Sequence, residues 1–273
     1  MKALKYIIPT CFLVAGIALT AVSAPFIDDI DELSIGIGDG KKTDFEVNLD
    51  ITQEQASAIT RLDISADIVD VDIVKGDAFA IKCENMVEDK LDVNIDDGEL
   101  EIEYDVVRFI SFGVSEKSRG SITVTVPEKQ YEELAIEGGV GDIYVNGIHC
   151  SVLDVEFGVG DSEFTNMTVS SCTFEMGVGD CEIRDSVLSK CDINGGVGDF
   201  TINNTSLTGS CSIDGGVGDI TVNLIGDDYR VKGSSGVGDV VLNGEKVDSK
   251  AGDGNVVIDA DCGVGNITIN TGV

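Results

Sequence analysis

The chain has 273 residues, 42% of them hydrophobic, which is enough to bury a sizeable core, and its 18 Lys plus Arg stand against 50 Asp plus Glu for a formal charge of −32. Such a surface repels phosphate backbones and anionic headgroups, so nucleic acid is excluded as a partner. With 33 Gly, 3 Pro and no Trp, the composition fits tight turns between short strands and excludes a collagen-like or proline-rich rod.

In chain order, a basic head (Lys2, Lys5) precedes an apolar run from Tyr6 to Ala24, and the acids Asp28, Asp29, Asp31 and Glu32 come next. This is the layout of an export signal, with the N-terminus in the cytoplasm and the rest outside. Val22-Ser23-Ala24 offers a small-residue cleavage site, but Pro25 stands where proline obstructs the peptidase. The reading favours an uncleaved membrane anchor over residues 1–27, with a removed signal peptide and secretion as the alternative. Cys11 has no lipoprotein-type site before it. Residues 28–59 read as a linker and lead-in, with a short ambiguous helical piece at Gln53–Ala58.

From 60 to 130 the sequence alternates apolar and polar residues in runs at Leu62–Val74, Leu91–Ile95, Leu100–Tyr104 and Ser121–Val126, after an earlier run at Phe45–Leu49. No word repeats there, and the segment reads as an irregular β-rich start that caps the regular coils.

Residues 131–273 carry the most specific signal, the word Gly-Val-Gly-Asp. It begins at Gly139, Gly158, Gly177, Gly196, Gly216 and Gly236, with successive starts 19, 19, 19, 20 and 20 residues apart. Degenerate copies stand at Gly263-Val264-Gly265-Asn266 and Gly252-Asp253-Gly254-Asn255, and Gly36-Ile37-Gly38-Asp39 echoes the word near the anchor. A period near 20 signals stacked coils. Apolar residues alternate before each word (Leu153, Val155, Phe157; Cys172, Phe174, Met176), and the valine continues that parity. They resume after the Asp at its first and third followers, as at Ile143 and Val145. The one-residue slip predicts a corner. Glycine at Gly139, Gly141, Gly158, Gly160, Gly177, Gly179, Gly196, Gly198, Gly216, Gly218, Gly236 and Gly238 supplies its backbone angles, and the Asp braces it. The fold expected is all-β: a single-stranded parallel β-solenoid of coils about 19–20 residues long, each laid on the last, preceded by the transmembrane or signal helix.

The features Leu62-Asp63-Ile64, Leu100-Glu101-Ile102, Ile122-Thr123-Val124-Thr125-Val126-Pro127 and Leu134-Ala135-Ile136, succeeded by coils punctuated by Gly-Asp, resemble the bacterial "putative adhesin" family of unknown function. The resemblance runs from about residue 60 onward. It implies a membrane-anchored cell-envelope β-solenoid and supplies no catalytic residues.

The residues support three site readings. Asp142, Asp161, Asp180, Asp199, Asp219 and Asp239 form a column of like charges that calcium could bridge, although the spacing departs from the calcium-binding β-roll nonapeptide; the competing reading makes them corner braces. Cys172, Cys191 and Cys211 each stand five residues before the word and form an inward thiol column. Buried thiols are favoured there, with disulfides (Cys181, Cys150 and Cys83 being further candidates) as the alternative. For catalysis the inventory is poor: His149 is the only histidine, and no nucleophile elbow or phosphate loop occurs. The expected function is a non-catalytic envelope module, adhesin-like or tied to envelope stress, without a required cofactor, that binds a glycan or protein ligand and could self-associate through its coil ends. A calcium-stabilised rod and a glycan-active enzyme are the second and third readings.

Overall fold

The computed structural model describes residues 41–105, 119–247 and 250–272. The expected anchor at 1–27, Cys11 and the word at Gly36 lie outside the described residues, among which no helix is long and apolar enough to cross a membrane.

Alternation fixes the architecture. In Arg61–Gly76, Gly120–Pro127 and Leu91–Asp96, as in the repeat strands, every second residue turns inward, and the inward set is Leu, Ile, Val, Phe and Cys. Each coil is a strand, a glycine corner and a second strand, and the coils stack in parallel register. The described residues are all-β apart from short helical turns, Gln53–Ala58 and Glu88–Lys90. Gln53–Ala58 forms because Thr52 and Gln55 close a capping box.

One buried file shows the order of the coils. In register it runs Leu100, Leu62, Leu134, Leu153, Cys172, Cys191, Cys211, Ile258, Val231. A facing file after the corner runs Ile122, Val71, Ile143, Ser162, Cys181, Phe200, Ile220, Ile267, Val240. The two files form a continuous dry core along the rod.

This order corrects the expectation that each coil lies on the last. The coil containing Arg61–Gly76 is sandwiched between the later pair Glu99–Tyr104 and Gly120–Pro127 on one side and Gln130–Val140 with Ile143–Asn146 on the other. At the far end Val256–Val264 and Ile267–Thr271 slip between the coil of Cys211–Val217 and the coil of Tyr229–Val237. Val231 therefore does not flank Cys211; Ile258 does. The word at Gly252 makes no coil of its own, and lies in the connection between these two exchanged coils, where Asn255 donates its amide to Asp228 Oδ1 at 2.9 Å.

Antiparallel strands cover both ends. Leu91–Asp96 pairs with Glu99–Tyr104 across an Asp97-Gly98 turn whose residues have φ of 44° and 78°. Ala80–Met86 pairs with Gly120–Pro127, and Thr43–Val47 with Ala80–Met86. At the other end, among the described residues, the antiparallel strands on the outer coil are the two-residue Glu245–Lys246 and Lys250–Ala251.

Candidate functional site

The corner falls at the second glycine of each word. At Gly177 a Cβ would stand 2.0 Å from the carbonyl oxygen of Gly158, and at Gly179, where φ is +142°, one would stand 1.9 Å from that of Gly160. Both glycines are therefore required by close approach to the previous coil, the second also by its backbone angle. The valine between them, just before the bend at the second glycine, is nowhere fully buried. This corrects the expected inward valine: Val197, Val217 and Val264 are 44%, 48% and 47% exposed and Val237 67%.

The Asp of each word stands exposed, and in register these residues form a column that starts at Asp70. Each carboxylate Oδ1 accepts the backbone N–H of the Asp in the next coil. The distances are 2.9 Å from Asp142 N to Asp70, 3.0 Å from Asp161 N to Asp142 and 2.9 Å from Asp180 N to Asp161. From Asp199 N to Asp180 and from Asp219 N to Asp199 they are 2.8 Å. Asn266 donates to Asp219 at 2.7 Å, and its own Oδ1 accepts Asp239 N at 3.2 Å. A corner N–H that has no partner in a regular sheet ladder is satisfied by the neighbouring side chain, which ties successive coils together.

Like charges one coil apart repel, and the column relieves this at defined places. Arg119, with a side chain only 13% exposed, sits 3.3 Å from Asp70 and 3.1 Å from Asp142. Lys246 pairs with Asp239. The neutral Asn266 stands between Asp219 and Asp239. Among the described residues no set of three His, Cys, Asp or Glu side chains converges as a metal cage. The six corner aspartates are thus aligned along the rod, each with at least one oxygen engaged and Asp142 with both.

Along this column, which contributes Asp142, Asp161, Asp180 and Asp199 to its lining, a groove of about 840 Å³ runs over the outer face of the post-corner strands. Its floor includes Asp72, Tyr144, Glu163, Glu182, Thr201 and Asn203. These side chains are held by their neighbours. Asn203 Nδ2 donates to Glu182 Oε1 at 3.0 Å, Thr165 Oγ1 to Glu163 Oε1 at 3.1 Å, and Arg184 pairs with Glu163. Asn146 Nδ2 donates to the Tyr144 hydroxyl at 3.0 Å. Burial, with the nearby Asp70 second, raises the Asp72 carboxyl above its ordinary value. The alternation signals these outward positions only as polar; their union into a groove depends on the coil register.

The cysteines lie inside. Cys172, Cys191 and Cys211 are register neighbours, and all seven cysteines among the described residues are buried free thiols. Burial pushes Cys150 and Cys181 up to about 12 and Cys83 to about 11. Contact with Cys191, then burial, raises Cys172 as well. A thiol held protonated is a poor nucleophile and metal ligand, so this file packs as small apolar side chains. His149 opens the strand His149–Val159, beside Gln130 and Thr168.

No curated protein matches this chain. Solved structures resemble it, among them the following two. A "putative cell adhesion protein" from Clostridium sporogenes is 20% identical with a TM-score of 0.41, the alignment covering 85% of this chain and 100% of that one. A "putative adhesin" from Bacteroides fragilis is 16% identical with a TM-score of 0.45, covering 84% of this chain and 97% of that one. The model of the Toastrack DUF4097 family matches residues 59–262, from the first core residue of the rod to the last cysteine, and the chain belongs to that family.

Proposed function

We propose that the protein is a non-catalytic, adhesin-like module of the bacterial cell envelope, held to the membrane by residues 1–27 with its solenoid outside, and that it works by binding through the groove beside the aspartate column. The observation that carries this reading is the groove itself: hydrogen-bonding side chains repeat at coil spacing along its floor, with the aromatic ring of Tyr144 between Asp72 and Glu163. Flat arrays of acceptors beside an aromatic ring suit hydroxyl- and amine-bearing sugar chains, and the carboxylates select against acidic ones.

The test measures adherence of cells producing the whole chain to surfaces coated with a glucosamine polymer, neutral dextran or polygalacturonate. Adherence to the glucosamine polymer that drops at least tenfold in Tyr144→Ala with Glu182→Gln supports the reading. Equal adherence of the variant, or preference for polygalacturonate, overturns it. Resistance of the solenoid to protease added to intact cells would overturn the proposed location. The calcium reading draws on the exposed aspartate column. It requires that millimolar calcium raise the melting temperature and that chelator reverse the rise.

A further inference from the structure

The valine of each word is a second surface feature, separate from the groove and on the other side of the aspartate column. In register the valines form one apolar file from Val140 through Val178 and Val217 to Val237, with Ile68 continuing it. Toward the thinly covered end the file opens to solvent: Val197, Val217 and Val264 are 44%, 48% and 47% exposed and Val237 67%. An apolar ridge of this length, bordered by polar side chains, marks an interaction surface.

Its borders define the partner. On one side of the four exposed valines stand Asp199, Asp219, the neutral Asn266 and Asp239, which Lys246 pairs. On the other, the outward row of the preceding strands carries Asn194, Asp214, Asp261 and Ser234 in the same coils. A second copy would bring these same carboxylates face to face, each chain carrying a formal charge of −32, and anionic lipid is repelled likewise. Cationic side chains on either side of an apolar stripe complement both borders at once. The spacing also selects a shape: coils repeat at about 4.8 Å, near the roughly 5.4 Å turn of an α-helix, whereas same-face residues of an extended strand recur at about 6.6 Å. A helix lying along the ridge seats about one side chain per coil over the four exposed valines.

We propose that the exposed valine file is a docking ridge for a basic amphipathic helix of another polypeptide, its apolar residues along Val197, Val217, Val264 and Val237 and its Lys or Arg over the flanking carboxylates.

The probe is a labelled synthetic helix of Leu and Lys with all leucines on one face, compared with a scrambled peptide of identical composition. Both are titrated by fluorescence anisotropy against the whole chain in nanodiscs of zwitterionic lipid, with empty nanodiscs as the blank. The patterned peptide is expected to bind at least tenfold tighter than the scrambled one. The triple variant Val197→Thr, Val217→Thr, Val264→Thr, which keeps β-branched residues at exposed strand positions, is expected to lose at least tenfold while melting as the native chain does. Val237→Thr alone, at the rod's end, serves if the triple variant misfolds, with a loss of about threefold. Asp199→Asn with Asp219→Asn retains the Oδ1 brace, as Asn266 does, and is expected to weaken binding and flatten its salt dependence. Equal binding of both peptides, or of the valine variants, overturns the proposal. So does a concentration-dependent dimer that the valine variants abolish, which would make a second copy the occupant, or valine-dependent binding of the chain to added phosphatidylcholine vesicles, which would make it a lipid surface.

Discussion

The two ends of the rod solve the same problem with unequal means. At each, the outermost coil is exchanged with its neighbour in chain order, so the coil beneath is pinned on both sides by strands distant in sequence. One end then adds three antiparallel strands, Thr43–Val47, Ala80–Met86 and Leu91–Asp96, and buries Ile81, Cys83 and Met86 beneath them. The other adds only two-residue strands, Glu245–Lys246 and Lys250–Ala251, whose exposed charges oppose further pairing at that edge. The exchange fixes register at both ends, while the amount of covering decides how freely each outer coil moves.

The comparison can be broken most severely by truncation after Val247. This removes the inserted coil, and losing the burial of Ile258, Ile267 and Ile269 alone takes away roughly 4–9 kcal/mol at about 1.5–3 kcal/mol each. The truncated chain is expected to show no cooperative melting transition near that of the whole chain, and a normal transition would refute the pinning role. Substitution at the corner comes next. Gly198→Val, whose Cβ would stand 2.0 Å from the Gly179 carbonyl oxygen in mid-rod, is expected to cost roughly 3 kcal/mol or more in urea unfolding. Gly238→Val has the same clash in the thinly covered coil and is expected to cost about half as much, because that coil can shift away. Equal losses would show that covering does not govern mobility.

A smaller effect is expected in the brace. Asp199→Ala leaves the Asp219 amide without its acceptor and should cost about 1–2 kcal/mol, whereas Asp199→Asn should cost under about 0.5 kcal/mol. The smallest effect sharpens the thickly covered end, where Asp63 has its carboxyl raised to about 6 by burial and then by Glu137, Glu99, Glu101 and Glu133. The folded state holds this proton more tightly than the unfolded chain, whose Asp titrates near about 3.9. Stability therefore falls as pH rises from that value through about 6, then levels. Asp63→Asn should remove that decline and melt slightly higher than the native chain at pH 7; an unchanged pH profile would contradict the raised value.

How far the sequence could be read depended on what each signal measures. A recurring word reports a recurring local geometry, so coil length, parallel stacking and the corner were legible from Gly139 to Gly236. Inward parity was legible on either side of the corner, as at Leu153 and Val155 or Ile143 and Val145. It failed at the valine because alternation was carried up to the bend at the second glycine, where the valine is half-buried or exposed and lies outside the core. Coil order was not legible, since every coil offers a similar alternating face to either neighbour. The one signal was a break in spacing: Asp239 and Asn266 are 27 residues apart where other corners recur at 19 or 20. The strand Ala80–Met86 was missed because its alternation, Ile81 and Cys83 in and Lys82 and Glu84 out, is short and breaks at Asn85, whose φ is 54°. The groove needed side chains from several coils at once, which no single stretch of sequence displays.

The exchanged coil near the thin end also ties an earlier strand to a later one. Tyr229–Val237 lies on Val256–Val264 and not on Cys211–Val217, so its native neighbour exists only once the later strand has been made. The native pairing of that end is thus complete only after Val264.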